Sequence, residues 1–319
     1  MFFPHIVLID ITIACNARCV MCPTRTSARK KAIIDDALFH KIIMELAEYS
    51  TQIEQVWLGM HGEPFIDVKL AEKVDLCRRH GLKTIISTNG SLVTSDRAAS
   101  VLEAGAGTVI FSLESLDRSI YERIRVGLNH LEVVTNIKGF INLKIKGSFS
   151  TGVVIRCVGS EWNQNNKQEF IDYWAPYLKP EIGGIEFTPI NNWAHGRPGR
   201  SHGTTPCRQV MGMTSILSDG TVSLCCIDYE KVYTLGNVEN NTIREIVNGE
   251  GARKLREIHE SGRRDTLRMC DTCYLPELWD GVLPETYGES TRIGDMKRSG
   301  WVSGFGEIAA LQMGNREQS

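Results

Sequence analysis

The 319 residues predict an α/β protein, a partial (β/α)6 TIM-like barrel followed by a small C-terminal domain organised around cysteines. Three features carry that expectation. Short β-branched runs alternate with longer helical periods from residue 6 to 190, which argues for parallel strands joined by helices. The alternation gives six units, short of the eight that close a full barrel. Eight of the ten cysteines fall into two groups, Cys15, Cys19 and Cys22 near the start and Cys207, Cys225, Cys226, Cys270 and Cys273 in the last third. An open doubly wound sheet would show the same alternation.

Strands are expected at Ile6–Ile13, Gln55–Met60, Lys83–Thr88, Thr108–Leu113, Phe149–Cys157 and Gly184–Ile190. The first helix, Asp35–Tyr49, puts Leu38, Ile42, Leu46 and Tyr49 on one face, and Asp35 or Asp36 caps its start. The second, Val68–His80, stops at Gly81, a residue suited to the left-handed turn that ends helices. Thr94 and Asn129 are N-cap candidates for two more, and Asn166–Leu178 supplies the fifth. The segment Asn191–Pro206, rich in Gly, Pro, Arg and Asn, reads as a linker. Beyond it, Ser218-Asp219-Gly220 between Thr214–Leu217 and Thr221–Leu224 signals a hairpin. Helices follow at Ile243–Val247 and Ala252–His259. The expected divisions are 1–200, 201–280 and a C-terminal extension 281–319, in which Trp301 and Phe305 stand among Gly and polar residues.

Composition limits the function. Apolar residues make up 42% and charged residues 23%, enough to bury a core and too little charge for disorder. With a net charge of −2, nothing favours a nucleic-acid or anionic-membrane partner. The first apolar stretch lacks a basic lead and is broken by Pro4, His5 and Asp10, so it is no signal peptide. No apolar run approaches the ~18 residues of a membrane span. The expected compartment is the cytoplasm, where clustered cysteines read as metal sites rather than disulfides.

Cys15-Asn-Ala-Arg-Cys19-Val-Met-Cys22 directly follows the first strand. Three thiolates on so short a loop can take three corners of a cubane cluster and leave the fourth iron open, whereas structural zinc wants a fourth ligand that is not nearby. This motif resembles the hallmark of the radical S-adenosylmethionine (SAM) enzymes. The family's aromatic residue before the last cysteine is replaced by Met21, and its G-G-E-P appears as His61-Gly62-Glu63-Pro64. Taken alone, Glu63 is a helix-start acid ahead of Pro64. The resemblance makes it the carboxylate that holds the SAM amino group. It also places Ser87, Thr88 and Asn89, then Ser112 and Glu114, against the ribose and methionine parts of SAM, and pairs Arg125 with the SAM carboxylate. The implied chemistry is reductive cleavage of SAM to a 5′-deoxyadenosyl radical that takes a hydrogen atom from substrate.

Cys207, Cys225, Cys270 and Cys273 offer four thiolates, a set that closes either a second [4Fe-4S] cluster or a zinc site. The layout resembles the twitch or SPASM module behind many radical SAM barrels, which implies one auxiliary cluster here. The cysteine spacing is similar to that of aminocyclitol (2-deoxy-scyllo-inosamine) dehydrogenases of antibiotic biosynthesis. Cys226 is the candidate catalytic residue, a hydrogen donor to a substrate radical; a small buried strand-end residue is the plain reading. Cys157 is a weaker donor candidate and Cys77 a core residue. Arg156, Arg197 and Arg200 are candidate hydroxyl or carboxylate contacts. The resemblance implies an oxidoreductase or epimerase acting on a sugar or aminocyclitol, fed by a flavodoxin- or ferredoxin-type reductant. Modification of a ribosomally made peptide is the alternative, disfavoured by a barrel that begins at residue 6. A non-catalytic electron-transfer or zinc protein is the alternative outside enzymology.

Overall fold

The computed structural model describes residues 1–159, 163, 166–179, 181–188, 204–273, 275–276 and 307–309. Six βα-type strands run in chain order: β1 (Ile6–Ile9), β2 (Gln55–Leu58), β3 (Thr84–Thr88), β4 (Thr108–Ser112), β5 (Gly152–Val158) and β6 (Gly183–Thr188). Helices α1 (Asp36–Ala47), α2 (Leu70–Arg79), α3 (Ser95–Glu103), α4 (Arg118–Ile124), α5 (His130–Lys146) and α6 (Lys167–Trp174) lie between them. Each strand pairs in parallel with its predecessor, so the order through the sheet is monotonic from β1 to β6. A doubly wound sheet reverses its order at a switch point. Monotonic order is that of a barrel, and here the barrel is open, because β1 does not pair with β6.

The two faces of the sheet separate the core. Outward residues Val7, Ile9, Val56, Leu58, Ile86, Val109, Phe111, Val153, Ile155 and Ile185 join the helices in one large cluster. Inward residues Ile6, Leu8, Trp57, Ile85 and Ile110 form a second cluster that fills the concave side. The alternation is the period-2 pleat of a strand, plain in β5, where Val153, Ile155 and Cys157 are buried and the residues between them half-buried. Asp35 caps α1 by accepting from the backbone of Ala37 and Leu38, and Asn129 caps α5 by accepting from Glu132. Thr94 stands at the N-cap of α3 without a side-chain bond.

The structure departs from expectation in four places. Strand β1 stops at Ile9; the Asp10 N–H still donates to the Ile216 carbonyl at 2.8 Å, while its side chain pairs with Arg29 and meets His61 Nδ1. Strand β5 starts three residues later than Phe149, beyond Ser148, which adopts a positive φ of 52°. Helix α4 carries no obvious periodic stripe in sequence, and is started by Asp117, whose carboxylate accepts from Ser119 and Ile120. The hairpin is present as β7 (Met213–Ile216) and β8 (Thr221–Ser223), preceded by α7 (Arg208–Gly212), yet it does not stand apart. Strand β7 pairs in parallel with the free edge of β1, and β8 and β9 (Thr234–Asn237) extend the sheet. Helices α8 (Ile243–Val247) and α9 (Glu250–Glu260) pack behind it, and β10 (Glu307–Ala309) lies antiparallel to β6 at the other edge. The boundary placed near residue 200, the linker up to residue 203, Arg197, Arg200, Trp301 and Phe305 lie outside the described residues. Among the described residues no helix is long and apolar enough to cross a membrane.

Candidate active site

The C-terminal ends of the parallel strands gather the residues singled out above. Cys15, Cys19 and Cys22 sit on the loop after β1, with Cys19 buried and the other two half-buried. Each thiol has a polar neighbour from a different part of the chain. Asn89 Nδ2 lies 3.9 Å from Cys15 Sγ, an Arg125 guanidinium nitrogen 3.4 Å from Cys19 Sγ, and Thr24 Oγ1 2.9 Å from Cys22 Sγ. Burial pushes the Cys15 thiol up to about 11 and raises Cys19 as well, the latter against the lowering pull of Arg125. Met21 packs half-buried on the edge of the main core.

The loop after β2 is pressed onto the backbone that leads into these cysteines. Glu63 N donates to the Ala14 carbonyl at 2.9 Å. A Cβ on Gly62 would stand 2.2 Å from the Thr12 carbonyl oxygen and 2.5 Å from that of Ala14, so only glycine allows this approach. Gly62→Ala is expected to cost ~2–3 kcal/mol, the overpacking of an immobile backbone. The check is a denaturant midpoint lowered at unchanged slope; a midpoint equal to wild type would show that the loop moves freely.

Glu63 is 1% exposed. Its Oε1 accepts from Phe65 N at 3.1 Å and Thr88 Oγ1 at 2.7 Å, and its Oε2 from Asn89 N at 2.7 Å. A carboxylate offers about four acceptor positions, so one remains on Oε2. Burial nevertheless raises the Glu63 carboxyl above its ordinary range, outweighing these hydrogen bonds and the Arg125 charge. Pro64, buried, opens the short turn behind it. Asn89 also binds Asn16 Oδ1 at 2.9 Å, tying the end of β3 to the cysteine loop.

Arg125 and Glu114 form a closed pair, Nε to Oε2 at 2.6 Å and Nη2 to Oε1 at 2.5 Å, with the Glu114 side chain fully buried. The Glu114 and Cys19 charges hold the Arg125 guanidinium firmly protonated despite its burial. Arg125 is thus engaged by Glu114 and Cys19 together. Ser87 and Ser112 lie half-buried at the ends of β3 and β4. Ser112, Arg156 and Glu186 occupy one cross-strand row on the concave face. Arg156 Nε donates to Glu186 Oε2 at 2.7 Å and its guanidinium lies 5.7 Å from the Trp57 ring centroid. Among the described residues Arg156 Nη2 and Glu186 Oε1 are buried without a partner.

The second group also converges. Cys207, Cys225, Cys270 and Cys273 line one pocket, together with Gln209, His259 and Arg264. Burial raises the Cys225 thiol well above its ordinary value, and the neighbouring cysteines raise it further. Arg264, 1% exposed, donates to the carbonyls of Cys270 at 2.7 Å and Cys273 at 3.0 Å. His259 accepts from Cys207 N at 3.3 Å and lies 3.6 Å from Cys270 Sγ. Burial, then the Arg264 charge, lower the His259 imidazole to about 4, so it sits neutral. Among the described residues no set of three or more His, Cys, Asp or Glu side chains closes to the distance of a single ion. Four thiols around a space edged by a guanidinium and an amide fit a bulky anionic cluster. Cys226 is not among the lining residues of this pocket; Cys77 and Cys157 are buried in the main core.

Sequence reasoning missed Asp10, Arg29, Gln209, His259, Arg264 and Glu186. An acid at the end of an apolar run was the one available signal for Asp10; the others lacked any local pattern.

An open parallel barrel with a three-thiol loop at its mouth and a four-thiol pocket beside it defines an iron–sulfur protein. Residues 9–162 match the Radical SAM superfamily, and residues 207–274 match SPASM, an iron–sulfur cluster-binding domain. The chain thus carries a radical SAM domain followed by a SPASM-type domain. Over 108 residues it is 32% identical to the tungsten-containing aldehyde ferredoxin oxidoreductase cofactor-modifying protein of Pyrococcus furiosus, covering 34% of this chain and 30% of that protein. The match thus spans less than a third of that relative's length. BtrN in complex with AdoMet and 2-DOIA has a similar fold, at TM-score 0.60 and 16% identity, over 85% of this chain and 93% of that one. SuiB of Streptococcus suis bound to precursor peptide SuiA reaches TM-score 0.67 at 14% identity, over 91% and 76%. Likeness at such identities shows the fold. The two domains imply a SAM-binding [4Fe-4S] cluster, an auxiliary iron–sulfur cluster and SAM as the cofactors.

Proposed function

We propose that this radical SAM enzyme oxidises or epimerises a carbon of a polar small molecule, a sugar or aminocyclitol alcohol. The observation that carries the polar substrate is the Arg156–Glu186 pair, which leaves one donor and one acceptor buried and unused on the concave face. Unpaired buried polar atoms cost about 1–3 kcal/mol each, a cost that a hydroxyl or amine of the substrate would remove. Arg156 donates to a substrate oxygen, Glu186 accepts from the adjacent hydroxyl or amine, and Trp57 packs against the ring.

Cys15, Cys19 and Cys22 hold the first cluster, and Cys207, Cys225, Cys270 and Cys273 the auxiliary one. When bound, the reduced first cluster supplies the electron that splits SAM into methionine and a 5′-deoxyadenosyl radical, which takes a hydrogen atom from the substrate. Glu63 offers its remaining acceptor position to the SAM ammonium, Arg125 its charge to the SAM carboxylate, and the ends of β3 and β4 line the nucleoside. For oxidation, the four-cysteine site would hold the group that accepts the further electron of the substrate radical, whose proton is lost to solvent. In epimerisation Cys226 would instead return a hydrogen atom from its thiol, and the thiyl radical left behind would take back one proton from solvent and one electron that derives from the external reductant. A flavodoxin- or ferredoxin-type protein in the cytoplasm is the proposed reductant.

The test begins with anaerobic reconstitution, which should load about eight irons per chain, two cubanes. Reduction with SAM should then release 5′-deoxyadenosine, and Cys19→Ala should remove that release. With scyllo-inosamine as probe, Arg156→Met should raise KM at least tenfold while substrate-free SAM cleavage persists. Cleavage of SAM with turnover only of a peptide would favour peptide modification, in line with SuiB being seen bound to its precursor peptide SuiA. No SAM cleavage at full iron loading would leave an electron-transfer protein.

A further inference from the structure

Cys225 and Cys226 are neighbours in sequence, yet only Cys225 lines the four-cysteine pocket. We propose that Gln209 and His61 are positioning residues that hold Cys226 toward the concave face of the barrel and keep it out of the auxiliary metal site. The proposal rests on the reading of that pocket as a metal site, and it goes beyond the role assigned to Cys226 in catalysis.

Two bonds fix Cys226, one at each end of the residue. Its thiol donates to Gln209 Oε1 at 3.1 Å, and its carbonyl oxygen lies 2.7 Å from His61 Nε2. The Cys226 side chain packs against the inward cluster of Ile6, Leu8, Trp57, Ile85 and Ile110. It also touches the cluster of Ile227, Met269 and Leu275 on the auxiliary side. It therefore bridges the two regions, and small rotations of the residue would decide which one the sulfur serves.

His61 is itself held. Its Nδ1 lies 3.2 Å from Asp10 Oδ2, and its backbone N–H donates to Asp10 Oδ1 at 3.3 Å. Arg29 donates to the same Oδ2 at 3.0 Å and to the Tyr229 carbonyl at 3.4 Å. The Asp10 side chain is fully buried, as is that of His61. A chain of side chains thus runs from the end of β1, through the loop after β2, to the backbone of the loop after β8. A glycine in place of His61 would leave the Cys226 carbonyl without this donor.

Gln209 works from the other side. It is 1% exposed and lines the four-cysteine pocket, and among the described residues its buried Nε2 has no partner. The thiol hydrogen needs an acceptor, which sets Oε1 toward Cys226 and leaves the N–H pair for the sulfur-lined side. A donor of that kind suits the sulfur atoms of a bound cluster, whose potential follows its hydrogen bonds. One amide thus restrains the cysteine that stays out of the site and serves the cluster that fills it.

The experiment uses the full chain reconstituted with iron and sulfide under anaerobic conditions. Iodoacetamide labelling of Cys226, read by peptide mass, should be at least tenfold faster in Gln209→Met and in His61→Gln than in wild type. Methionine keeps the volume of Gln209, so the change reports the lost hydrogen bond rather than a cavity. In a Cys225→Ser background with Gln209 and His61 intact, the auxiliary site should lose its iron, leaving about four per chain. Adding Gln209→Met should bring the content back toward about eight as Cys226 takes the vacant position and becomes protected from label. Unchanged labelling in both single variants would overturn the proposal, as would full iron content in Cys225→Ser alone. A chain that loads only four irons in wild type would instead refute the auxiliary-site reading on which the proposal stands.

Discussion

Arg125→Met is expected to destabilise the protein by ~3–5 kcal/mol, the cost of leaving a buried carboxylate without its partner. Glu114 is fully buried in its side chain, and both of its oxygens point at Arg125, at 2.6 and 2.5 Å. Methionine fills much of the same volume and supplies no donor. The same substitution withdraws the cation 3.4 Å from Cys19 Sγ, so cluster assembly on the first loop should fall together with stability. The double variant Arg125→Met/Glu114→Gln separates the two effects. It removes the stranded charge and should recover more than half of the lost stability, while cluster loading stays low because Cys19 still lacks its guanidinium. Denaturant unfolding gives the first quantity and iron content the second. If Arg125→Met unfolds within ~1 kcal/mol of wild type, the pair is as weak as a solvated surface bridge and the site is more open to water than its burial indicates.

The features legible in sequence were those encoded within a few residues. The C-x3-C-x2-C loop, His61-Gly62-Glu63-Pro64, the capping acids of α1 and the Ser218-Asp219-Gly220 hairpin each occupy one turn or loop, and local chemistry marks them. The barrel order was legible as alternation alone; its openness was settled by β7, which takes the edge of β1 more than 200 residues away along the chain. No local pattern could announce that pairing, since a strand edge accepts any extended partner of suitable register. The same distance hid the contact of His61 with Cys226, 165 residues apart, and that of Arg29 with Tyr229, 200 apart. Glu186 carries no local mark of its burial. Only the cross-strand row beside Arg156 shows it to be buried. The presence of His61 where a glycine is expected was visible from the start, and its physical reason lay in a loop that sequence could not place beside it.

Glu63→Gln tests how a buried acid serves a cationic ligand. The wild-type carboxyl is raised by burial, so the folded protein holds its proton to higher pH than the unfolded chain does. Protonation therefore contributes stability that is full below the unfolded acid value and is lost as pH rises through the folded one. The glutamine variant lacks that dependence, and its stability should be flatter across the same window. Ligand binding runs the other way. An ammonium group favours the ionised carboxylate, so SAM affinity of the wild type should rise with pH through the window. Glutamine cannot reproduce this, for its amide has one oxygen where three donors, Phe65 N, Thr88 Oγ1 and Asn89 N, already converge on two. One of them must then face an N–H. Loss of a charge-assisted hydrogen bond is worth ~1.5–3 kcal/mol, so affinity should fall by about 10–100-fold at neutral pH, measured by equilibrium dialysis of labelled SAM with the reconstituted enzyme. An affinity that is unchanged, or that falls in the same proportion at every pH in both proteins, would mean that Glu63 only shapes the loop and that the ammonium is held elsewhere.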